Sequence, residues 1–172
     1  MLSATAPILI AGQAPGMRVH RSRLPFDDAS GDRLRDWLGV GRDRFYDPDC
    51  FAVVPMGFCF PGYDGKGGDL PPRRECAPAW RARALAAMPQ IRLVLAVGSH
   101  AQKWHLGKAM PGGMTETVRE WERFLQPATT GAIQILPLPH PSWRNTGWLR
   151  RNPWFEAELL PALKSRVHAL LG

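Results

Sequence analysis

The sequence predicts an α/β protein, a three-layer α/β/α sandwich around a four-stranded, mainly parallel sheet. Three observations carry that expectation. Four short apolar runs, at residues 7–11, 51–56, 91–97 and 132–138, are bounded by Gly, Pro or polar residues. Each is apolar along nearly its whole length, as strands buried on both faces are. Helical signals fall between them, and alternation of strand and helix favours a parallel sheet covered on both sides. The 172 residues, 45% hydrophobic and 22% charged, suit one domain over 1–172.

In chain order, Ile8, Leu9 and Ile10 read as a buried strand that Gly12, Pro15 and Gly16 end sharply. A helix over 30–38 takes Ser30 as its cap and Gly39 as its stop. After the strand at 51–56 comes the longest irregular stretch, 59–72, punctuated by Pro61, Gly62, Gly65, Gly67, Gly68, Pro71 and Pro72. A loop of that length in a small domain is usually functional. An Ala- and Arg-rich helix over 72–88 stops at Pro89, and another over 99–106 follows Gly98. The helix over 114–125 is amphipathic, with Val118, Trp121, Phe124 and Leu125 as its stripe. The last, 152–171, has Pro153 in its first turn and a kink expected at Pro161.

Composition excludes several classes. No run approaches the roughly 18 apolar residues of a membrane span. The first strand begins within a few residues of Met1, without a signal peptide's basic and apolar regions. Cys50, Cys59 and Cys76 are too few and scattered for a disulfide framework. A cytoplasmic monomer is the expectation. The net charge of +7 suggests a polyanionic partner, although G+C-rich genomes also enrich arginine. Its distribution says more. Arg18, His20, Arg21 and Arg23 form one acid-free cluster, and Arg144, Arg150 and Arg151 another. Each follows a turn, whereas 116–123 mixes both signs like a solvated helix face.

Those two turns carry the chemistry. One is Gly12-Gln13-Ala14-Pro15-Gly16; the other runs from Pro139-His140-Pro141-Ser142 through Trp143, Arg144 and Asn145. The plain reading of either is a tight, proline-punctuated turn. Two prolines around one histidine, however, fix its backbone and suit a side chain that must point one way. Taken together, the turns resemble the uracil-DNA glycosylase superfamily, with its GQDPY-, GEAPG- or GLAPA-type turn and its later HPS. Leu24-Pro25-Phe26 with Ser30-Gly31 is similar to a "PF…SG" element of the bacterial iron–sulphur branches. Pro72-Arg73-Arg74-Glu75-Cys76 and the Gly98-to-Ala101 segment resemble further motifs in the same order. His140-Pro141-Ser142 with Asn145, Thr146 and Gly147 is closest to the broad-specificity branch called family 5.

The resemblance implies a DNA glycosylase that flips a deaminated or damaged base, uracil or a relative such as hypoxanthine, from single- or double-stranded DNA. It implies Phe26 as the stacking aromatic and His140 as the donor to the departing base. Gly12, Ala14, Pro15 and Gly16 would form the small turn against base and sugar. Ser142, Trp143, Arg144 and Asn145 would enter the duplex, with Arg18, Arg21, Arg23, Arg150 and Arg151 on phosphates. Ala14 stands where one branch has a catalytic aspartate. Gln13 stands where another has glutamate; an amide orients water but takes no proton at neutral pH. Asp28 falls near the aspartate that family 5 enzymes carry just before their "SG", so the resemblance implies it as the water-activating group, with Asp27 next; the alternatives are an acidic pair capping the following helix and dissociative catalysis without a true base.

Residues 53–57 lack the base-reading asparagine of uracil-selective branches, which fits altered specificity. The iron–sulphur branches need four thiolates, and no N-terminal C-x-x-C exists here, so no cluster is expected; Cys59 and Cys76 read as small buried residues facing each other. No lysine lies in these motifs, so hydrolysis without a Schiff base is expected. Two rivals stand beside this reading: a damaged-DNA-binding protein without turnover, and a hydrolase of small nucleosides.

Overall fold

The computed structural model describes residues 1–126 and 132–172. Four strands, β1 (Ile8–Ala11), β2 (Phe51–Val53), β3 (Leu93–Val97) and β4 (Gln134–Leu138), form one sheet in the order β2-β1-β3-β4. Every pairing is parallel, so the expected mainly parallel sheet is wholly so. The register runs Ala11↔Ala96 between β1 and β3, and Val97↔Leu138 between β3 and β4. β1, β3 and β4 therefore finish at one edge. The β1–β2 ladder goes on past the strands, with Val54, Met56 and Gly57 N–H groups donating to Ile10, Gly12 and Gln13 carbonyls.

Side-chain alternation along β1 divides the core. Ile8 and Ile10 face Leu34, Trp37 and Leu38 of α2 (Ala29–Leu38), Phe45 of α3 (Arg42–Tyr46), and Leu163 and Val167 near the C-terminus. Leu9 and Ala11 face the other layer, with Ala77 of α4 (Cys76–Ala86) and Ala101 of α5 (Ser99–Leu106). Alanines at Ala11, Ala52, Ala77, Ala96 and Ala101 let that second layer lie close to the sheet.

Several expected boundaries move, each for a local reason. The helix at 30–38 begins at Ala29, and Asp28 rather than Ser30 caps it, its side chain accepting from Gly31 N–H. α4 begins at Cys76, not 72, with Pro78 in its first turn, where its missing N–H costs no intrahelical bond. The amphipathic segment breaks at Glu120 into α6 (Met114–Arg119) and α7 (Trp121–Leu125). The final segment divides as well. α8 (Thr146–Arg151) ends at Asn152, a π turn covers Phe155–Leu159, and α9 (Leu160–Leu171) has Pro161 in its first turn. The expected kink is thus a π turn just ahead of the proline, whose missing N–H would break a continuous helix. α1 (Met17–Ser22), α3 and α8 were not anticipated.

Two buried polar side chains hold the carboxyl ends of β4 and β2. Gln102 of α5 donates through Nε2 to Leu138 O at 2.9 Å, just before the His140 turn. Arg81 of α4, fully buried, donates to Val54 O at 2.7 Å and Pro55 O at 3.2 Å. Its Nη2 also meets His105 Nε2 at 2.6 Å. Burial and the adjacent guanidinium push the His105 imidazole down to about 4, so it stays neutral and accepts from Arg81. A depressed folded value adds stability above the unfolded value near 6.5, and that stability is lost as pH falls towards 4. Urea unfolding across this window should show the loss. The His105→Asn protein should show a shallower slope, because its amide does not titrate.

Candidate active site

At the carboxyl edge of the sheet lies a cleft of about 1660 Å³, lined by the Gly12–Gly16 turn, Phe26, Asp28, His140 and the chain from Ser142 to Asn145. The sheet order reverses direction about β1 and β3, and such a switch point in a parallel sheet is where crossover loops part. The cleft extends past a single small-ligand site to Trp80 and Arg83 of α4, where the guanidinium stacks 5.3 Å from the indole centroid.

His140 is oriented from three directions. Its carbonyl accepts from Asn145 Nδ2 at 2.7 Å. Its Nδ1 accepts from the Ser142 N–H at 3.2 Å, which puts the ring proton on Nε2. Gly98, just past β3, packs against this histidine; a Cβ there would lie 3.7 Å from the His140 Cβ, an ordinary contact, so it is the positive φ of +81° that calls for glycine. Burial lowers the His140 pKa, and the charges of Asp28 and Asp69 partly oppose that. The result at neutral pH is an uncharged imidazole presenting one N–H donor.

Phe26 occupies the left-handed region at φ +56°, costly for a residue with a Cβ. Its ring lies against the turn, with Cζ 3.5 Å from the position a Cβ on Gly12 would take. Three groups hold the backbone there. Tyr46 OH donates to Pro25 O at 2.9 Å, and Arg35 Nη1 to Phe26 O at 3.3 Å. A Cβ on Gly31 would stand 1.7 Å from that same carbonyl oxygen, so only glycine fits.

The two expected acids separate. Asp28 lines the cleft, but its Oδ1 accepts from Gly31 N–H at 3.0 Å, so it is a helix cap with one oxygen left over. Asp27 is not among the lining residues; its carboxylate pairs with Arg42 at 2.9 Å, which holds its pKa below the usual value. Gln13 lines the cleft and reaches the loop carbonyl of Leu70 at 3.4 Å. The N–H groups of Gln13, Ala14 and Gly16 donate to nothing among the described residues.

Of the expected DNA contacts, Ser142, Trp143, Arg144 and Asn145 line the cleft, and Trp143 is 75% exposed. Arg144 donates to Gly67 O at 3.1 Å, tying the His140 turn to the 59–72 loop. Arg18 and Arg21 on α1, and Arg150 on α8, lie outside the cleft wall; His20 and Arg23 line it instead. A six-residue helix turns its side chains through all directions, so the basic cluster does not share one face. Sequence reasoning missed Asp69 and Lys66, which the 59–72 loop brings to the cleft. Nothing periodic in that loop marks either residue.

The cysteines are all free, and Cys59 and Cys76 are half-buried rather than core. Cys50 packs beside Asp47, its Sγ 3.6 Å from Oδ2. The three cysteines of this sequence do not supply the four thiolates of an iron–sulphur cluster, and no reaction step is assigned to one.

A wholly parallel α/β sheet carries a neutral histidine donor and an aromatic side chain at its carboxyl edge, both facing one cleft. The family model of the uracil DNA glycosylase superfamily matches residues 1–164, and the chain belongs to that superfamily. Its members are DNA glycosylases, which hydrolyse N-glycosyl bonds. No helix among the described residues is long and apolar enough to cross a membrane.

The Gly31 contact gives a direct test. Gly31→Ala should destabilise the fold by about 3 kcal/mol in urea unfolding, because the carbonyl it strikes is backbone and cannot rotate away. Phe26→Ala leaves that contact intact and should lower the melting temperature less.

Proposed function

We propose that this protein is a monofunctional DNA glycosylase that removes a deaminated or otherwise damaged base, uracil or a relative such as hypoxanthine, in base-excision repair. The observation that carries the reading is the His140 tautomer. A neutral imidazole with Nδ1 occupied by the Ser142 N–H offers Nε2–H to a leaving base as negative charge builds on it. Phe26 supplies the stacking face, and the Gly12–Gly16 turn lets base and sugar approach the backbone. Ala14 and the free neighbouring amides suit a broad choice of base, since residues 53–57 hold no asparagine to read its edge. Asp28 keeps one oxygen for the positive charge that develops on the sugar. Trp143, Arg144 and Asn145 would meet the duplex, and His20 and Arg23 its phosphates. Arg18, Arg21 and Arg150 then act only at longer range.

The test is excision from labelled oligonucleotides carrying uracil, hypoxanthine, xanthine or mismatched thymine, single- and double-stranded, with alkali to reveal abasic sites. His140→Ala should lower the single-turnover rate by about 10²–10³. Asp28→Asn keeps a side-chain acceptor for the Gly31 N–H, so melting should be unchanged while the rate falls about tenfold, equivalent to roughly 1.4 kcal/mol. Nicking that needs alkali supports monofunctional hydrolysis; nicking without it would mean that an amine, the Lys66 side chain or the Met1 terminus at the cleft, forms a Schiff base. Salt-sensitive binding with no excision of any base would mean a damaged-DNA-binding protein instead. Salt-insensitive turnover of free nucleosides would mean a small-molecule hydrolase.

A further inference from the structure

Three aspartates line the cleft, and two are already committed. Asp64 Oδ1 accepts from the N–H groups of Lys66 at 2.8 Å and Gly68 at 2.7 Å, shaping its own loop. Asp28 Oδ1 caps α2. Asp69 differs from both. Its carboxylate accepts no hydrogen bond and joins no ion pair among the described residues. The chain that carries it is nevertheless held on either side. Asp69 forms a bridge with Tyr63, Leu70 N–H donates to Gly62 O at 2.9 Å, and Leu70 O accepts from Gln13. Its Oδ2 lies against the first turn, 3.6 Å from where a Cβ on Gly16 would stand. Its charge also reaches the His140 ring, on which Asp28 is the other carboxylate acting.

We infer that Asp69 is the carboxylate that takes the proton of the attacking water, supplied by the 59–72 loop to a turn that has no acid of its own. The inference rests on the glycosylase reading and names the group that reading leaves open. In the step, a C1′–O bond forms from water as the C1′–N bond breaks, its electron pair leaving on the base. The water proton passes to the Asp69 carboxylate and then to solvent. The base anion, held by the His140 Nε2–H, is protonated from solvent. Free base and an abasic sugar result, and no co-reactant beyond water is consumed. Asp28 remains the helix cap and a fixed negative charge beside the sugar.

The deciding experiment measures three properties of wild type, Asp69→Asn and Asp28→Asn. These are single-turnover excision, oligonucleotide affinity by anisotropy, and titration of the His140 ring by NMR. Asp69→Asn should lose about 100-fold or more in rate, the span of a general base, with affinity and melting unchanged. The His140 midpoint should move down, because a nearby negative charge favours the imidazolium. Asp28→Asn should retain more activity than Asp69→Asn. Near-wild-type excision by Asp69→Asn, a larger loss in Asp28→Asn, or an unmoved His140 midpoint would each overturn the assignment. If wild type excises none of the bases, the glycosylase reading falls. The His140 midpoint then still decides whether Asp69 faces that histidine.

Discussion

β3 is hydrogen-bonded to β1 on one side and β4 on the other, and its parallel register with both makes all three strands finish together. The Gly12–Gly16 turn and the His140 turn therefore leave the sheet two strand spacings apart, about 9–10 Å. That distance leaves a gap between them, provided nothing from β3 fills it. β3 is followed by Gly98, whose positive φ turns the chain away. A one-residue slip between β3 and β4 would turn Leu138 out of the core and carry His140 to the other face. Gln102 opposes that slip by bonding Leu138 O from within the core.

The same edge holds its strain at one point. Phe26 is forced into the left-handed region by a carbonyl packed on Gly31 and bonded by Arg35, while Tyr46 fixes the carbonyl before it. Arg35 is itself buried, pairs with Asp32 at 2.6 Å, and lies 5.3 Å from the Phe45 centroid. The strained residue is thus determined by α2 and α3, whose buried faces belong to the hydrophobic layer. Strain of about 1–3 kcal/mol persists only under such over-determination. Here it sets an aromatic ring against Gly12 instead of letting the side chain turn into the core.

How much of this was legible in the sequence follows from what kind of signal each part leaves. The strands were legible because burial on both faces makes Ile8-Leu9-Ile10 and Leu93 to Val97 apolar without alternation. Gly12–Gly16 and His140–Ser142 were legible because turns at strand ends are written in Gly and Pro. α3, five residues long, left no period to read. Asp28 and Ser30 are both competent caps, and the choice rests on Gly31 having to meet the Phe26 carbonyl, which fixes where α2 starts. Asp27 and Asp28 are neighbours with opposite fates because Arg42, on α3, reaches one of them. Asp69 lay outside reach altogether: its nearness to Gly16 comes from a loop folding back across more than fifty residues, and nothing local encodes it.

That loop is joined to the rest of the site at several points, which bears on how a carboxylate carried by it can act. Arg144 from the second turn bonds Gly67 O, Gln13 from the first bonds Leu70 O, and His20 Nδ1 on α1 accepts from Phe60 N–H at 3.4 Å. The first two contacts bracket Asp69 in sequence, so the loop is located from both turns at once. A base on a free loop would spend its reactivity on conformations in which no water is in line, since proton transfer needs a donor–acceptor distance near 3 Å. Bonds on both sides restrict Asp69 without touching its oxygens, which leaves the group placed and its carboxylate unoccupied among the described residues. The contacts themselves are single, exposed hydrogen bonds, each contributing only about 1 kcal/mol. Arg144 is also one of the residues proposed to meet DNA, and a guanidinium drawn to a phosphate would give up Gly67 O. The position of Asp69 would then rest on the Gln13 bond to Leu70 O and the Tyr63 bridge.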